Sequence, residues 1–269
     1  MLMFLGYVAV TCFFAFPLLW VISLSMKPLR EAYSFPPYLI PRGPTLENYI
    51  AVWTTTPIVR YFYNSVKIVL LTVLGSLIVS VPSAYALSRF RFRGKQAALF
   101  GLLVVRMVSP LVILIPLYRY YAAINLLDTH AGVIAVYIAT QTPVATWVLK
   151  GFLDTIPTDL DHAALIDGCS WFQALVRVVL PVSLPGLAAA AIFDAVFGWS
   201  QFLIPFVLLT DSKLFPLSVG ILNYQSTAES ITIHLLAAAS IIAILPVTVM
   251  FIALQRPIVS ALTAGAVKS

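Results

Sequence analysis

Six apolar runs, at 3–25, 64–87, 97–118, 131–150, 186–209 and 235–254, leave this chain little choice of solvent. Each is near the ~20 residues a helix needs to cross the hydrocarbon core of a bilayer. In hydrocarbon every backbone N–H and C=O must be satisfied within the protein, and runs of this length do so as helices. Composition agrees: 61% of the 269 residues are hydrophobic and 10% charged, against about 45–50% and about 25% in soluble domains. Mean hydropathy is +0.99. The expected fold is an all-α integral membrane protein, a single domain over 1–269 with six transmembrane helices. A longer polar segment, 151–185, separates the fourth and fifth spans. The first run is too long for the apolar part of a signal peptide and lacks a charged leader and a small-x-small cleavage site, so it reads as a retained helix. The stretch 26–62, with Pro28, Pro36, Pro37, Pro41, Pro44 and Pro57, reads as an irregular loop holding one short interfacial helix near Leu46–Trp53, introduced by Thr45 and Glu47.

The net charge of +6 does not point to nucleic acid, because the 16 Lys and Arg are dispersed and form no phosphate-binding stripe. Arg89, Arg91, Arg93 and Lys95 cluster directly after the second span, a density that keeps a loop cytoplasmic. Alternation then places both termini and 151–185 inside, with Lys150, Arg177, Arg256 and Lys268. Lys27, Arg30, Arg42, Arg60, Arg119 and Lys213 fall outside, so local density rather than the total sets the orientation. Cys12 and Cys169 lie in different compartments on this topology and lack the spacing of a metal or redox site. His130, His162 and His234 are solitary, and no metal site is expected. No G-x-x-x-x-G-K-[ST] string is present, so no phosphate loop and no cofactor are expected on this chain.

Pro82, Pro110, Pro116, Pro143, Pro205 and Pro246 fall inside the apolar runs. Each removes a backbone donor and kinks its helix. Ordinary bundle packing accounts for that, as do helices bent around a central path. Arg106 in the third span and Asp194 in the fifth are costly at membrane depth and are expected to face the interior or a wet cavity. They can pair structurally or serve a path. Gln141, Trp199, Ser200 and Gln201 supply amides, a hydroxyl and an aromatic face suited to a hydroxyl-rich solute.

The polar segment encodes two short helices and a turn. Pro157 opens it, and Thr158 can cap a helix with Asp161 three residues on. Asp159 and Asp161 sit in the first turn, where the helix dipole favours them. Gly168 supplies a left-handed terminus. Ser170 and Gln173 form a second capping box, and Leu180-Pro181 ends that helix. Trp171, Leu175, Val178 and Val179 share one face, while Ala163 and Ala164 are expected to be exposed as a small-residue patch. A hairpin lying on headgroups carries Lys and Arg. This one carries Asp154, Asp159, Asp161 and Asp167 against Lys150 and Arg177, which suits a protein partner.

The string Asp161-His162-Ala163-Ala164, Asp167-Gly168, then Leu180-Pro181 resembles the cytoplasmic coupling loop of permease subunits of binding-protein-dependent ABC importers. His162 stands where that family usually carries Glu. Phe197-Gly-Trp-Ser-Gln-Phe202, Ser23-Leu-Ser-Met-Lys-Pro28, Glu47-Asn-Tyr49 and Leu262-Thr-Ala-Gly-Ala-Val-Lys268 extend the resemblance to the smaller, maltose-type sugar permeases. The resemblance implies a bacterial or archaeal plasma-membrane protein forming half of a sugar path by alternating access, without its own ATPase site. Implied partners are an ATPase dimer carrying ATP and magnesium, a second permease in a heterodimer and an extracytoplasmic solute-binding protein. Asp161, His162, Ala163, Ala164, Asp167, Gly168, Leu180 and Pro181 would couple to the ATPase. A permease for another solute, such as a polyamine or phosphate ester, stays open, as does a stand-alone secondary transporter.

Overall fold

The computed structural model describes residues 2–222 and 233–266; of their side chains, those of Leu2, Pro110 and 253–266 are not described. The C-terminal string quoted above, with Arg256 and Lys268, therefore lies outside the described side chains. All regular structure among the described residues is helical. The chain begins with α1 (Leu2–Ser25), α2 (Leu29–Ala32) and α3 (Glu47–Thr55). Thr45 Oγ1 accepts from the Glu47 N–H at 3.1 Å, so the short helix in the proline-rich stretch opens where the sequence places it. Then come α4 (Ile58–Arg89), α5 (Lys95–Met107), α6 (Pro110–Ala123) and α7 (His130–Leu153). The polar segment folds as α8 (Asp159–Ile166), α9 (Trp171–Ala174), a π turn (Leu175–Val179) and α10 (Leu180–Val182). It leads into α11 (Leu184–Ser200), α12 (Leu203–Leu208), a 3-10 turn (Ser212–Leu214), α13 (Leu217–Gly220) and α14 (Ile233–Ala266).

Among the described residues four helices are long and apolar enough to cross a membrane, and six spans result if each of two bent pairs counts as one. One bent pair corrects the third expected span. Instead of one helix over 97–118, α5 and α6 meet at 89°. Val108 and Ser109 are extended, and Pro110 opens α6. The proline ring disfavours helical backbone in the residue before it, so the first helix must stop and a second begin. Pro110 thus breaks a helix, whereas Pro82, Pro116 and Pro143 are carried inside α4, α6 and α7. The fifth span is shorter than expected: α11 ends at Ser200, Gln201 turns extended, and α12 continues separately.

The chain packs as two compact units. The first comprises Met1–Ser65 and Phe215–Thr248. Val52, Ile58, Leu217, Val219 and Ala238 are buried in it. Gly220 lies so close to the Tyr61 ring that a Cβ would collide with it. Asn64 Nδ2 donates to the Phe215 carbonyl at 3.0 Å, and the Leu217 N–H donates to Ser65 Oγ at 2.8 Å. Asn48 Nδ2 donates at 2.8 Å to the carbonyls of both Ser25 and Lys27, tying α3 to the end of α1. Lys27, counted above as an outward loop cation, is 2% exposed. Its ammonium donates to the Tyr38 carbonyl and lies 5.0 Å from the centre of the Trp20 ring. It is a caged charge, held by a carbonyl and an indole face.

The second unit comprises Val66–Leu214 and Val249–Ser269. Its core joins Ala84 and Tyr85 of α4, Ala145, Leu149 and Leu153 of α7, Leu175 and Val179 of the π turn, and Ala190 of α11. The polar segment is thereby anchored by apolar packing to three spanning helices. Gly186 permits this, since any side chain there would strike the Phe152 ring where α11 crosses α7. After α6, Asp128 Oδ1 accepts from the Thr210 and Asp211 N–H groups at 2.9 and 3.0 Å. The Asp211 and Thr210 N–H groups hold its carboxyl below the usual carboxylate range. His130 Nε2 lies 2.9 Å from the Leu214 carbonyl, a fixed contact of the same loop.

Candidate coupling loop and membrane-depth polar residues

Gly168 turns the chain between α8 and α9 at φ +86°. The Cys169 N–H donates to the Ala164 carbonyl at 3.0 Å and the Gly168 N–H to the Leu165 carbonyl at 3.1 Å. That crossed pair is a Schellman terminus, which requires a left-handed residue where glycine stands. The second helix opens on the expected capping box: Gln173 Oε1 accepts from the Ser170 N–H at 2.8 Å, and Ser170 Oγ accepts from the Gln173 N–H at 3.3 Å.

The first cap is different from the expectation. Thr158 makes no side-chain cap bond and is already helical. Its expected partner, Asp161, has turned inward and is 1% exposed. Tyr85 OH donates to Asp161 Oδ1 at 2.5 Å, and Arg89 Nε lies 2.8 Å from Oδ2. A charged partner at contact distance outcompetes a backbone N–H for a carboxylate. Asp161 therefore does not belong to the exposed face of the hairpin. Ala164 is also buried, so the expected Ala-Ala patch is reduced to Ala163. His162, Ala163, Asp167 and Gly168 are exposed, Leu180 is half-buried and Pro181 exposed. Ile166, 85% exposed, and Phe172, 72% exposed, add an apolar element to that face.

Pro181 does not end the second helix. The chain passes through it as α10, and the break comes at Ser183, where the Trp171–Val182 segment meets α11 at 82°. The π turn immediately before Pro181 is one way a helix absorbs a proline that cannot donate its N–H. Of the residues expected on one face, Leu175 and Val179 are buried, Val178 is half-buried and Trp171 lies open, edge-on to Phe90 at 4.9 Å.

At membrane depth, Arg106 and Asp194 do not form an ion pair among the described residues. Arg106 Nη1 donates to the Thr140 carbonyl at 3.2 Å, and its guanidinium stacks 4.3 Å from the centre of the Phe197 ring. Asp194 is fully buried, with Ser76 beside it. Arg106, Thr140, Phe197 and Gln201 line a cavity of about 250 Å³ at the bend between α5 and α6. Gln141, Trp199 and Ser200 are not part of its lining. Gln141 is buried near Gly198, Trp199 is buried, and Ser200 Oγ donates to the Val196 carbonyl at 2.8 Å.

Three contributors escape a reading of the sequence. Arg89 reads there only as an orientation signal, Tyr85 belongs to no motif, and Thr72, Ser76 and Ser80 form a buried hydroxyl stripe along α4. The spacing of that stripe, one residue per turn, is the signal that could have found it.

The chain matches the family model "Binding-protein-dependent transport system inner membrane component" over residues 76–263. It is 34% identical to the sulfoquinovosyl glycerol transport system permease protein of Agrobacterium fabrum, over 94% of this chain and 88% of that one. It is 33% identical to the galactooligosaccharides transport system permease protein of Bacillus subtilis, over 94% and 90%. A solved bacterial ABC transporter involved in the import of the acidic polysaccharide alginate shares its fold, with a TM-score of 0.81 at 21% identity, covering 94% of this chain and 93% of that one. With α8 to α10 carried on a core of spanning helices and the family model covering most of its length, this chain belongs to the inner membrane components of binding-protein-dependent transport systems, a multi-pass family of ABC permeases.

Proposed function

We propose that the chain is the permease subunit of an ATP-driven sugar importer and works by alternating access. The observation that carries this reading is the exposed face of α8 and α9, with His162, Ala163, Ile166, Asp167 and Phe172, built rigidly onto helices that line the membrane-depth residues. An exposed apolar face flanked by the exposed carboxylates Asp159 and Asp167 suits a protein groove better than anionic headgroups, which are met by Lys and Arg. Its occupant is an ATPase dimer that carries ATP and magnesium, since this sequence holds no G-x-x-x-x-G-K-[ST] phosphate loop. A second permease completes the path as a heterodimer, and an extracytoplasmic binding protein delivers the solute. The relatives named for saccharides support the sugar assignment. The whole of 1–269 then acts as one permease domain, both termini face the cytoplasm, and the membrane is a bacterial or archaeal plasma membrane.

Arg106, Gln201 and Phe197 provide a cation, an amide and an aromatic face in one cavity, a combination that recognises a hydroxylated ring. The guanidinium favours a solute bearing a carboxylate, sulfonate or phosphate ester over a polyamine, whose ammonium groups it would repel.

The test is to tag the C-terminus, solubilise native membranes gently and identify the co-purifying chains by mass spectrometry. A stoichiometric ATPase and a second permease are expected. Recovery of this chain alone or as a homo-oligomer would replace the importer reading with a self-sufficient transporter.

A further inference from the structure

The Arg89–Asp161 pair is the more deeply buried of the two ion pairs found among the described residues, its side chains 4% and 2% exposed. Its partners come from distant parts of the sequence. Asp161 projects from the inner face of α8, while His162, Ala163 and Ile166 lie on the outer face. Arg89 is the last residue of α4, and its Nη1 also donates at 3.1 Å to the carbonyl of Leu153, the last residue of α7. One guanidinium therefore serves the C-terminal ends of two spanning helices, where a cation is favoured, and the carboxylate of α8. Tyr85, one turn earlier on α4, donates a hydrogen bond to Asp161 Oδ1, the carboxylate oxygen that does not face Arg89 Nε. Its ring packs in the apolar cluster with Leu175 and Val179 and meets Phe90 edge-on at 6.2 Å. A buried charge left without its partner is strongly unfavourable, so α8 cannot separate from α4 without a large penalty.

We propose that Arg89, Asp161 and Tyr85 form a latch that makes α8 and the end of α4 move as one body. A displacement imposed on the outer face of α8 then reaches Thr72, Ser76 and Ser80 on the same α4. The latch rests on the reading of α8 as the docking element. Its three members are positioning residues and touch neither nucleotide nor solute.

The test uses the assembled complex with Cys12→Ser and Cys169→Ser, spin-labelled through Leu160→Cys on α8, outside the docking face, and Val79→Cys, both exposed positions. Pulsed electron paramagnetic resonance measures the label separation without nucleotide and after trapping with ATP and vanadate. In the otherwise native chain the separation should stay constant within about 2 Å, the scale of shifts within a packed body. With Asp161→Asn it should change between the two states by more than about 5 Å, one helical turn. The exchange Arg89→Asp with Asp161→Arg should restore constancy, and if the single variant does not assemble the exchange carries the test. A one-turn change in the native pair or in the assembled exchange overturns the latch, as does constancy retained in Asp161→Asn. Loss of the ATPase from an Asp161→Asn complex that keeps its label separation also overturns it, because Asp161 would then act at the docking surface. Failure of the unmutated chain to retain the ATPase removes the docking reading itself, a result visible before any variant is compared.

Discussion

The hairpin formed by α8 to α10 and the polar interior of the spans use the same kinds of residue in opposite ways. Around the hairpin, carboxylates and hydroxyls are matched: Asp161 with Arg89 and Tyr85, Ser170 with Gln173, Ser88 with Asp154, and Asp154 with Lys150. Between the spans, the buried side chains of Thr72, Ser80, Gln141 and Thr146 have no partner among the described residues, and Asp194 has no ion pair there. A buried carboxylate paired with a cation is held in place, whereas a buried polar group without a partner is costly. Asp154 and Asp161 are thus each held by a cation of this chain, whereas Asp194, between the spans, has none within ion-pair distance among the described residues.

Breaking the ion pair beside the hairpin should have the largest effect. Arg89→Ala leaves the Asp161 carboxylate buried and unpaired, a loss of about 3–5 kcal/mol, read as a lowered midpoint of thermal unfolding of the detergent-solubilised complex. An unchanged midpoint would show that the pair contributes no stability. Gly168→Val places a β-branched residue at a left-handed position, a strain of about 1–2 kcal/mol. It should weaken the stimulation of ATP hydrolysis by the loaded binding protein, and full stimulation would mean the turn tolerates the strain. On the interior side, Gln201→Ala should slow solute uptake about tenfold, the equivalent of about 1.4 kcal/mol, with the complex still assembled. Native uptake would remove Gln201 from the path. Ser170→Ala deletes half of the capping box and should lower stability by about 1 kcal/mol, measurable as a small shift in the same unfolding curve.

The smallest effect concerns Asp128, which is outside both regions. Its carboxyl is held below the ordinary value by backbone N–H groups, so its stabilisation is present above the unfolded value of about 3.9 and lost as pH falls through the lower folded value. Because the group is accessible, the contribution is below about 1 kcal/mol. Asp128→Asn should therefore differ from the native chain at about pH 7 and converge with it as pH falls below the lowered folded value; a gap that persists in acid would assign the effect to packing.

Features encoded within a few residues are legible in the amino-acid order itself. The first, second, fourth and sixth apolar runs, the α3 start at Thr45, the Gly168 turn and the Ser170–Gln173 box depend on local spacing, and each appears where the sequence places it. Three features are not legible there, for physical reasons. Asp161 satisfies the rules for a first-turn carboxylate, but its fate depends on Arg89, whose approach is set by the packing of α4 against α7 and the π turn. Pro110 reads like the other span prolines, yet there Val108 and Ser109 are extended and the helix breaks. The partition of Arg106 into one cavity and Asp194 into another environment follows from the bend between α5 and α6, which no residue spacing reports.

The π turn at Leu175–Val179 has a consequence for sequence length. A π turn holds one residue more than the α-helical turn it replaces. Deleting one residue between 175 and 179 would therefore restore regular pitch with the flanking turns nearly in phase, whereas deleting one from a regular α turn rotates its flanks by about 100°. Trp171, Phe172 and Pro181 would keep their directions. The π turn marks the one place in this stretch where the chain can lose a residue without re-aiming the outward face of α9.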